Sequence, residues 1–308
     1  MRVAVVDIGT NSTRLLVADV RDGRVSELER RSTVTRLGRG VDTAKQLAAE
    51  AIDAVCEAVA EYIPVYEALE PDVVIAIATS AVRDAGNSSA FIAELRERFA
   101  LDARILDGAE EARLTYLGAV AGRPSADGTL VVDIGGGSTE LVVGSGTEVT
   151  YFASLQVGVV RHSERYLKSD PPGAAELEDL ADDVRSVIFA ELADADFFKV
   201  EEGIAVAGTP TSLAAIEQEL DPYDPEKVHG YRLSLDSVQR LCSILSAKTL
   251  DERLHLRGLH PGRAPTIVAG ILILIQAMRA FGLQEIEVSE HDILHGAALE
   301  TAKVAEGT

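Results

Sequence analysis

Short apolar runs broken by glycine-containing turns alternate along the chain with stretches of helical period. Residues 3–6 (Val-Ala-Val-Val), 14–20 and 24–34 are rich in Val and Leu, with turn signals at Gly9-Thr10-Asn11 and Arg21-Asp22-Gly23. They predict three consecutive strands joined by tight turns. Alanines and large apolar residues at three- and four-residue steps predict a long helix over 45–69. A fully apolar strand over 72–78, a helix over 88–99, a short strand over 103–106 and a helix over 110–121 complete this half.

The same grammar then restarts. Residues 129–134, 140–143 and 148–155 predict three strands, with turns at Gly135-Gly136-Gly137 and Gly144-Ser145-Gly146. Helices are expected at 159–167 and 174–193, a strand at 203–208 and a helix at 211–219. Further helices are expected at 234–247, 261–281 and 294–305, with a strand at 285–289. The stretch 122–128 is linker-like. A repeated βββαβα order with one apolar, parallel-type strand per half predicts a duplicated α/β fold in two domains, 1–120 and 121–308, with a cleft between them.

The 308 residues suit two domains of roughly 150 each. The net charge of -21 argues against a nucleic-acid surface, which needs clustered Lys and Arg. An anionic substrate must therefore be held by local cations, metal ions or backbone amides. Cys56 and Cys242 are far apart and outside any C-x-x-C spacing, which excludes a zinc knuckle or disulfide framework and suits a reduced, cytoplasmic setting. The opening MRVAVVDIG carries no secretory pattern. The most apolar run, 267–278, is shorter than the roughly 20 residues that span a membrane, so it predicts a buried helix and no membrane partner.

The candidate chemistry lies in a string that occurs twice, Asp7-Ile8-Gly9-Thr10-Asn11-Ser12 with Arg14, and Asp133-Ile134-Gly135-Gly136-Gly137-Ser138-Thr139 with Glu140. A plain hairpin needs neither an Asp before the turn nor hydroxyl residues after it in both copies. Such a turn exposes successive backbone N–H groups and adds hydroxyl donors, so it can cradle a phosphate without lysine. Glycines at 135–137 allow close approach. Asp7 and Asp133, facing each other from the two hairpins, are candidate Mg²⁺ ligands, with Mn²⁺ as an alternative. In so acidic a chain Arg14, Arg36 and Arg83 are candidate phosphate contacts, since guanidinium forks match phosphate oxygens. Arg161, Arg263 and His229 are weaker candidates. His291 and His295 mimic half of a zincin pattern, but Asp292 is a short acid for that role and no third ligand is evident, so zinc is not expected.

These strings resemble the two phosphate motifs of the actin, Hsp70 and sugar-kinase superfamily and, within it, the exopolyphosphatase/guanosine pentaphosphate phosphohydrolase (Ppx/GppA) family. Further matches are Arg36-Leu37-Gly38, Ala78 to Asp84, Gly108 to Arg113, Gly158 with Arg161, and Val228-His229-Gly230. The chain departs from the family pattern at Ala207-Gly208-Thr209-Pro210, where Gly-Gly-Thr is usual. It departs again at Ser289 to Gly296, where Leu-Arg-Glu-Gly is usual. It also stops where longer members continue into a helical domain.

The resemblance implies two ribonuclease-H-like (actin-like ATPase) domains, Glu111 as the catalytic base, a phosphate contact at Gly208, and Mg²⁺-dependent hydrolysis of inorganic polyphosphate. Glu110, beside it, is expected to serve the helix start. Glu140 would complete the metal site or hold the attacking water. The runner-up substrate is guanosine pentaphosphate (pppGpp). A sugar or acetate kinase and a non-catalytic alarmone sensor are weaker alternatives, and a homodimer is left open.

Overall fold

The computed structural model describes residues 1–124, 126–193, 195 and 199–306. Ser125, within the expected linker, lies outside them. Contacts divide the chain into two units, Met1–Arg123 with Asp292–Thr308, and Pro124–His291.

The first unit contains β1 (Arg2–Ile8), β2 (Ser12–Arg21), β3 (Arg24–Val34), α1 (Val41–Ala44), α2 (Ala49–Glu67), β4 (Val73–Ala78), α3 (Ser80–Arg83), α4 (Ser88–Phe99), β5 (Ala103–Ile105) and α5 (Gly108–Val120). Its sheet order is β3-β2-β1-β4-β5, antiparallel from β1 to β3 and parallel from β1 to β5.

The second unit contains β6 (Thr129–Ile134), β7 (Thr139–Ser145), β8 (Glu148–Leu155), α6 (Val159–Tyr166), α7 (Ala174–Leu192), β9 (Glu202–Val206), α8 (Gly208–Glu217), α9 (Pro225–Val228), β10 (Arg232–Ser234), α10 (Leu235–Ser246), α11 (Leu250–Leu254), α12 (Ile267–Ala280) and β11 (Glu285–Val288). Its sheet runs β10-β11-β9-β6-β7-β8. Read from β8, this repeats the first unit's order and adds β10 as an antiparallel edge. The last helix, α13 (Ile293–Glu306), belongs to the first unit, whereas the sequence assigned 121–308 to one domain.

Strand alternation explains how the first unit buries both faces of its sheet. Ala4, Val6, Leu15 and Val17 pack with Val55, Val59, Tyr62 and Phe91. Their neighbours Val3, Val5, Leu16 and Ala18 pack instead with Leu114 of α5 and Leu294 and Ala298 of α13. Two glycines let this helix pair close up. A Cβ on Gly118 would lie 1.9 Å from the Asp292 carbonyl oxygen, and one on Gly296 would lie 1.8 Å from that of Leu114. Asp7 alternates with Val5 and Val3, so it emerges on the α5 and α13 face.

The second unit's core joins Leu130, Val132 and Leu141 to Leu180, Val184 and most of α12. Helix boundaries differ from expectation at several places; α8, for example, begins at Gly208 and not at 211. The run 261–281 begins with a 3₁₀ turn at Pro261–Arg263, and the helix expected from 45 starts at Ala49 because Lys45 is left-handed and closes α1. Among the described residues no helix is long and apolar enough to cross a membrane.

Candidate active site

In the first unit, strand register builds the site. Asp7 lies opposite Arg14 on β2 and beside Ile77 on the parallel β4. Arg14 donates from Nε and Nη2 to Asp7 Oδ2, at 2.8 and 2.6 Å, and from Nη1 to Asp292 Oδ2. One guanidinium thus joins two buried carboxylates, the second supplied by the residue that opens α13. Burial would raise the pKa of Asp292, yet Arg14, with Arg30 and His295, holds it down at about 2. For Asp7 burial prevails, so its pKa is raised although Arg14 opposes the shift. Asp7 Oδ1 is buried and accepts no hydrogen bond from the described residues.

Glu111 joins this face from the first turn of α5 and is only 7% exposed. Arg83, at the end of α3, donates from Nη1 to Glu111 Oε2 at 2.8 Å and to the Leu106 carbonyl at 2.9 Å. Burial pushes the Glu111 pKa up to about 6; Arg83 opposes the shift and the nearby Asp7 adds to it. Its neighbour Glu110 takes the structural role expected of it. It closes a capping box with Asp107 and pairs with Arg104.

The turn at residues 9–12 closes through a Gly9 N–H to Ser12 carbonyl bond of 3.0 Å. A Cβ on Gly9 would lie 2.8 Å from that same oxygen. The Thr10 carbonyl accepts from Gly38 N–H, and the Asn11 carbonyl accepts from the N–H groups of Thr35 and Arg36. Because a trans peptide points its C=O and N–H oppositely, pinning these carbonyls turns the Asn11 and Ser12 N–H groups away from residues 35–38. Thr10 Oγ1 accepts from Ala81 N–H at 3.2 Å, and Arg36, in the left-handed region at φ 53°, carries an exposed side chain.

The second unit repeats this register with different side chains. Asp133 lies opposite Glu140 and beside Val206 of β9, and Gly135 N–H bonds the Ser138 carbonyl at 3.0 Å. Here the start of α6 supplies the brace. Val159 N–H donates to the Gly135 carbonyl, the N–H groups of Val160 and Arg161 to the Gly136 carbonyl, and Arg161 Nε to the Gly137 carbonyl. The N–H groups of Gly136, Gly137 and Ser138 are therefore directed away from α6. Gly158 lies against this turn so closely that a Cβ would come within 2.4 Å of the Gly136 carbonyl oxygen. Thr139 Oγ1 donates to the Val157 carbonyl, and Ser154 Oγ donates to Glu140 Oε1 at 2.8 Å.

Gly208 opens α8, and the Arg263 guanidinium occupies the position a Cβ there would take, 0.8 Å from its Nη1. Ala207, just before it, has φ 70° and ψ -167°, a region otherwise reserved for glycine. Pro210 falls in the first turn, where no N–H is required. The hydroxyls of Thr211 and Ser212 fold back onto the Ala207 and Gly208 carbonyls. His229 Nδ1 accepts from Glu290 N–H, and its ring lies 4.4 Å from that of His291. His295, in the other unit, pairs with Glu27 at 2.9 Å.

The structure thus gathers Asp7, Arg14, Arg83 and Glu111 in the first unit, and Asp133, residues 135–139 and Glu140 in the second. Sequence reasoning missed Asp292 as the partner of Arg14 and Ser154 as the partner of Glu140. The departure from the usual motif at residues 289–296 was the available signal for Asp292. For Ser154 it was a polar residue beside apolar ones on β8.

A profile of the Ppx/GppA phosphatase family matches residues 16–304. "Exopolyphosphatase 2" of Mycobacterium tuberculosis (strain ATCC 25618 / H37Rv) is 36% identical over 315 residues, covering 98% of each chain. The crystal structure of the Aquifex aeolicus member of the Ppx/GppA protein family aligns with a TM-score of 0.83 at 31% identity, over 99% of this chain and 98% of that one. An exopolyphosphatase from Cytophaga hutchinsonii aligns with a TM-score of 0.89 at 28% identity, over 98% of each chain. The two units repeat one strand order, and over nearly the whole chain the fold is that of the Aquifex aeolicus Ppx/GppA protein. The chain belongs to the Ppx/GppA phosphatase family and is a phosphatase-type hydrolase.

Proposed function

We propose that this enzyme hydrolyses the terminal phosphoanhydride bond of inorganic polyphosphate, with Glu111 as general base. The observation that carries the reading is the placement of Glu111. It is a buried carboxylate held by Arg83 near Asp7, and its pKa of about 6 leaves it ionised at neutral pH yet more basic than an exposed glutamate. The names of the relatives, exopolyphosphatases, point to the same substrate.

Glu111 orients a water and accepts its proton as the water oxygen bonds to the terminal phosphorus. The bridging P–O bond breaks, and its electron pair leaves with the shortened chain. In each unit the outward-facing amides of the turn, with the hydroxyls of Thr10 and Ser12 in the first and of Ser138 in the second, hold phosphate oxygens, joined by the exposed Arg36. The Thr139 hydroxyl, expected to do the same, is instead committed to the Val157 carbonyl. Arg83 keeps the Glu111 carboxylate aimed while sharing its positive charge with the substrate. Arg14, bound to Asp7 and Asp292, sets the charge balance around Asp7. Glu140, tethered by Ser154, is a second acid for water or metal.

The chain's own residues fit Mg²⁺, or Mn²⁺ in its place. Asp7 Oδ1 is a hard oxygen donor, buried and without a hydrogen bond from the described residues. Asp7 would hold the ion in the first unit, and Asp133 is the matching donor in the second; when bound, the ion would neutralise charge on the phosphoryl oxygens.

Phosphate release from long polyphosphate, short polyphosphate and pppGpp, each with Mg²⁺, tests the proposal. The expected result is faster release from polyphosphate than from pppGpp. Preference for pppGpp would replace the substrate, and no release from any of the three would overturn the reading.

A further inference from the structure

The glycine turn at residues 135–137 is shaped by the start of α6, and that helix start depends on a side chain with no role in the chemistry above. His162 lies one turn into α6 with no exposed surface. Its Nδ1 accepts the Gly158 N–H at 3.3 Å, and its Nε2 lies 3.2 Å from Asp183 Oδ2 on α7. The bond to Nδ1 requires the neutral tautomer with its proton on Nε2, and that proton then donates to Asp183. Gly158 is also the residue pressed against Gly136 and Gly137. The next three N–H groups and the Arg161 side chain bind the carbonyls of the turn.

The start of this helix, which elsewhere is a ready anion site, is thus used up in holding a second piece of backbone. Whatever fixes the orientation of Gly158 fixes the direction of the amides at 136–138. We propose that His162 is a positioning residue for the second phosphate turn. Accepting the Gly158 N–H, it sets the helix start on which the turn is folded, and on protonation it releases that turn. The proposal deepens the polyphosphate reading and rests on it for its kinetic consequences only.

The groups facing His162 define when this happens. Asp183 comes from α7, with Arg165 at 3.9 Å from it, and Tyr166 lies beside the ring at 5.8 Å. From α12 the buried side chains are apolar except Gln276. Burial, the largest influence, disfavours the imidazolium, and Asp183 only partly offsets it. His162 is therefore neutral at physiological pH, and protonation begins only as the pH falls below the ordinary histidine value of 6.5. Protonation places a hydrogen on Nδ1, donor against donor with Gly158 N–H, and the contact opens.

Three forms of the full chain test this: wild type, His162→Leu, which removes the acceptor, and His162→Asn, whose Oδ1 falls where Nδ1 was. Amide hydrogen exchange is read over peptides covering 134–141 and 156–162, without substrate. Phosphate release from polyphosphate is read alongside. The expected result is faster exchange in both peptides of His162→Leu. Its KM for polyphosphate should rise about tenfold, the scale of losing one buried hydrogen bond, with kcat little changed. His162→Asn should restore both to near wild type. Below a pH of about 6.5 the KM of the wild type should rise while that of His162→Asn stays flat.

Unchanged exchange in His162→Leu overturns the proposal, as does His162→Asn behaving like His162→Leu. If His162→Leu does not fold, the pH dependence of KM in His162→Asn decides alone, and a rise parallel to wild type overturns it. Absence of phosphate release by the wild type counts against the polyphosphate reading. The exchange result stands or falls separately.

Discussion

The turns at residues 9–12 and 135–138 have the same backbone and opposite chemistry. Each follows a central strand whose last residue but one is a buried Asp, and closes with the same Gly N–H to Ser carbonyl bond. Each has its carbonyls pinned from behind so that the next amides point the other way. The first is braced by the loop residues 35–38 and the second by the start of a helix. Opposite the Asp, the first unit places Arg14 and ties it to Asp292, while the second places another acid, Glu140, and ties it to Ser154. Duplication has preserved the part that any phosphate needs, the direction of backbone N–H groups. The cross-strand position has been left free to specialise, positive in one unit and acidic in the other.

The largest test of this contrast is a pair of alanine substitutions. Gly158 has ordinary extended backbone, so Gly158→Ala acts only through its Cβ, which meets the Gly136 and Gly137 backbone at about 2.4 Å. A loss of about 3 kcal/mol is expected, with a raised KM for polyphosphate. Gly9→Ala meets one carbonyl oxygen, at 2.8 Å, and is expected to cost about 1 kcal/mol. Denaturant unfolding of both variants gives the ordering. Equal losses would mean that the contact of Gly158 with the second turn is no tighter than the contact of Gly9 within the first.

A smaller effect is expected at Ala207, which has no counterpart in the first unit. Its backbone lies in a glycine region, so Ala207→Gly should relieve strain and raise stability by up to about 1 kcal/mol, net of the entropy that glycine adds to the unfolded chain. Destabilisation in the same unfolding measurement would show that the Ala207 methyl makes contacts outweighing its strain.

Most of the site's local frame was legible in the sequence. The two Asp-x-Gly strings with flanking strands, the capping role of Glu110 and the placement of Glu111 at a helix start all rest on interactions within a few residues. What was not legible depends on distance. Asp292 meets Arg14 across 278 positions, and the assignment of α13 to the first unit follows from Gly118 and Gly296 letting two helices touch. Neither has a periodic signature. The four-residue helices α1 and α3 are too short to show a helical period, although α3 carries Arg83. His162 leaves no signal in the sequence, because its partners are a backbone N–H and an Asp on the next helix. The departure at Ala207 was visible as a missing glycine, but only the backbone shows that alanine adopts glycine's conformation there.

Glu111 is the proposed general base, and its burial sets the sign of the pH response. With its folded-state pKa raised, the stability it contributes is in place below the ordinary value of 4.5 and is lost as pH rises through about 6. Catalysis runs the other way, since the ionised base exists only above that range. The most direct measurement is kcat for polyphosphate in wild type and Glu111→Gln from about pH 5 to 9, with tripolyphosphate binding followed by calorimetry. With Glu111 as base, the expected result is a wild-type acid limb near 6, a fall of about 10²–10⁴ in kcat for Glu111→Gln, and retained binding. A Glu111→Gln enzyme within tenfold of wild-type kcat, with the acid limb still in place, would contradict it.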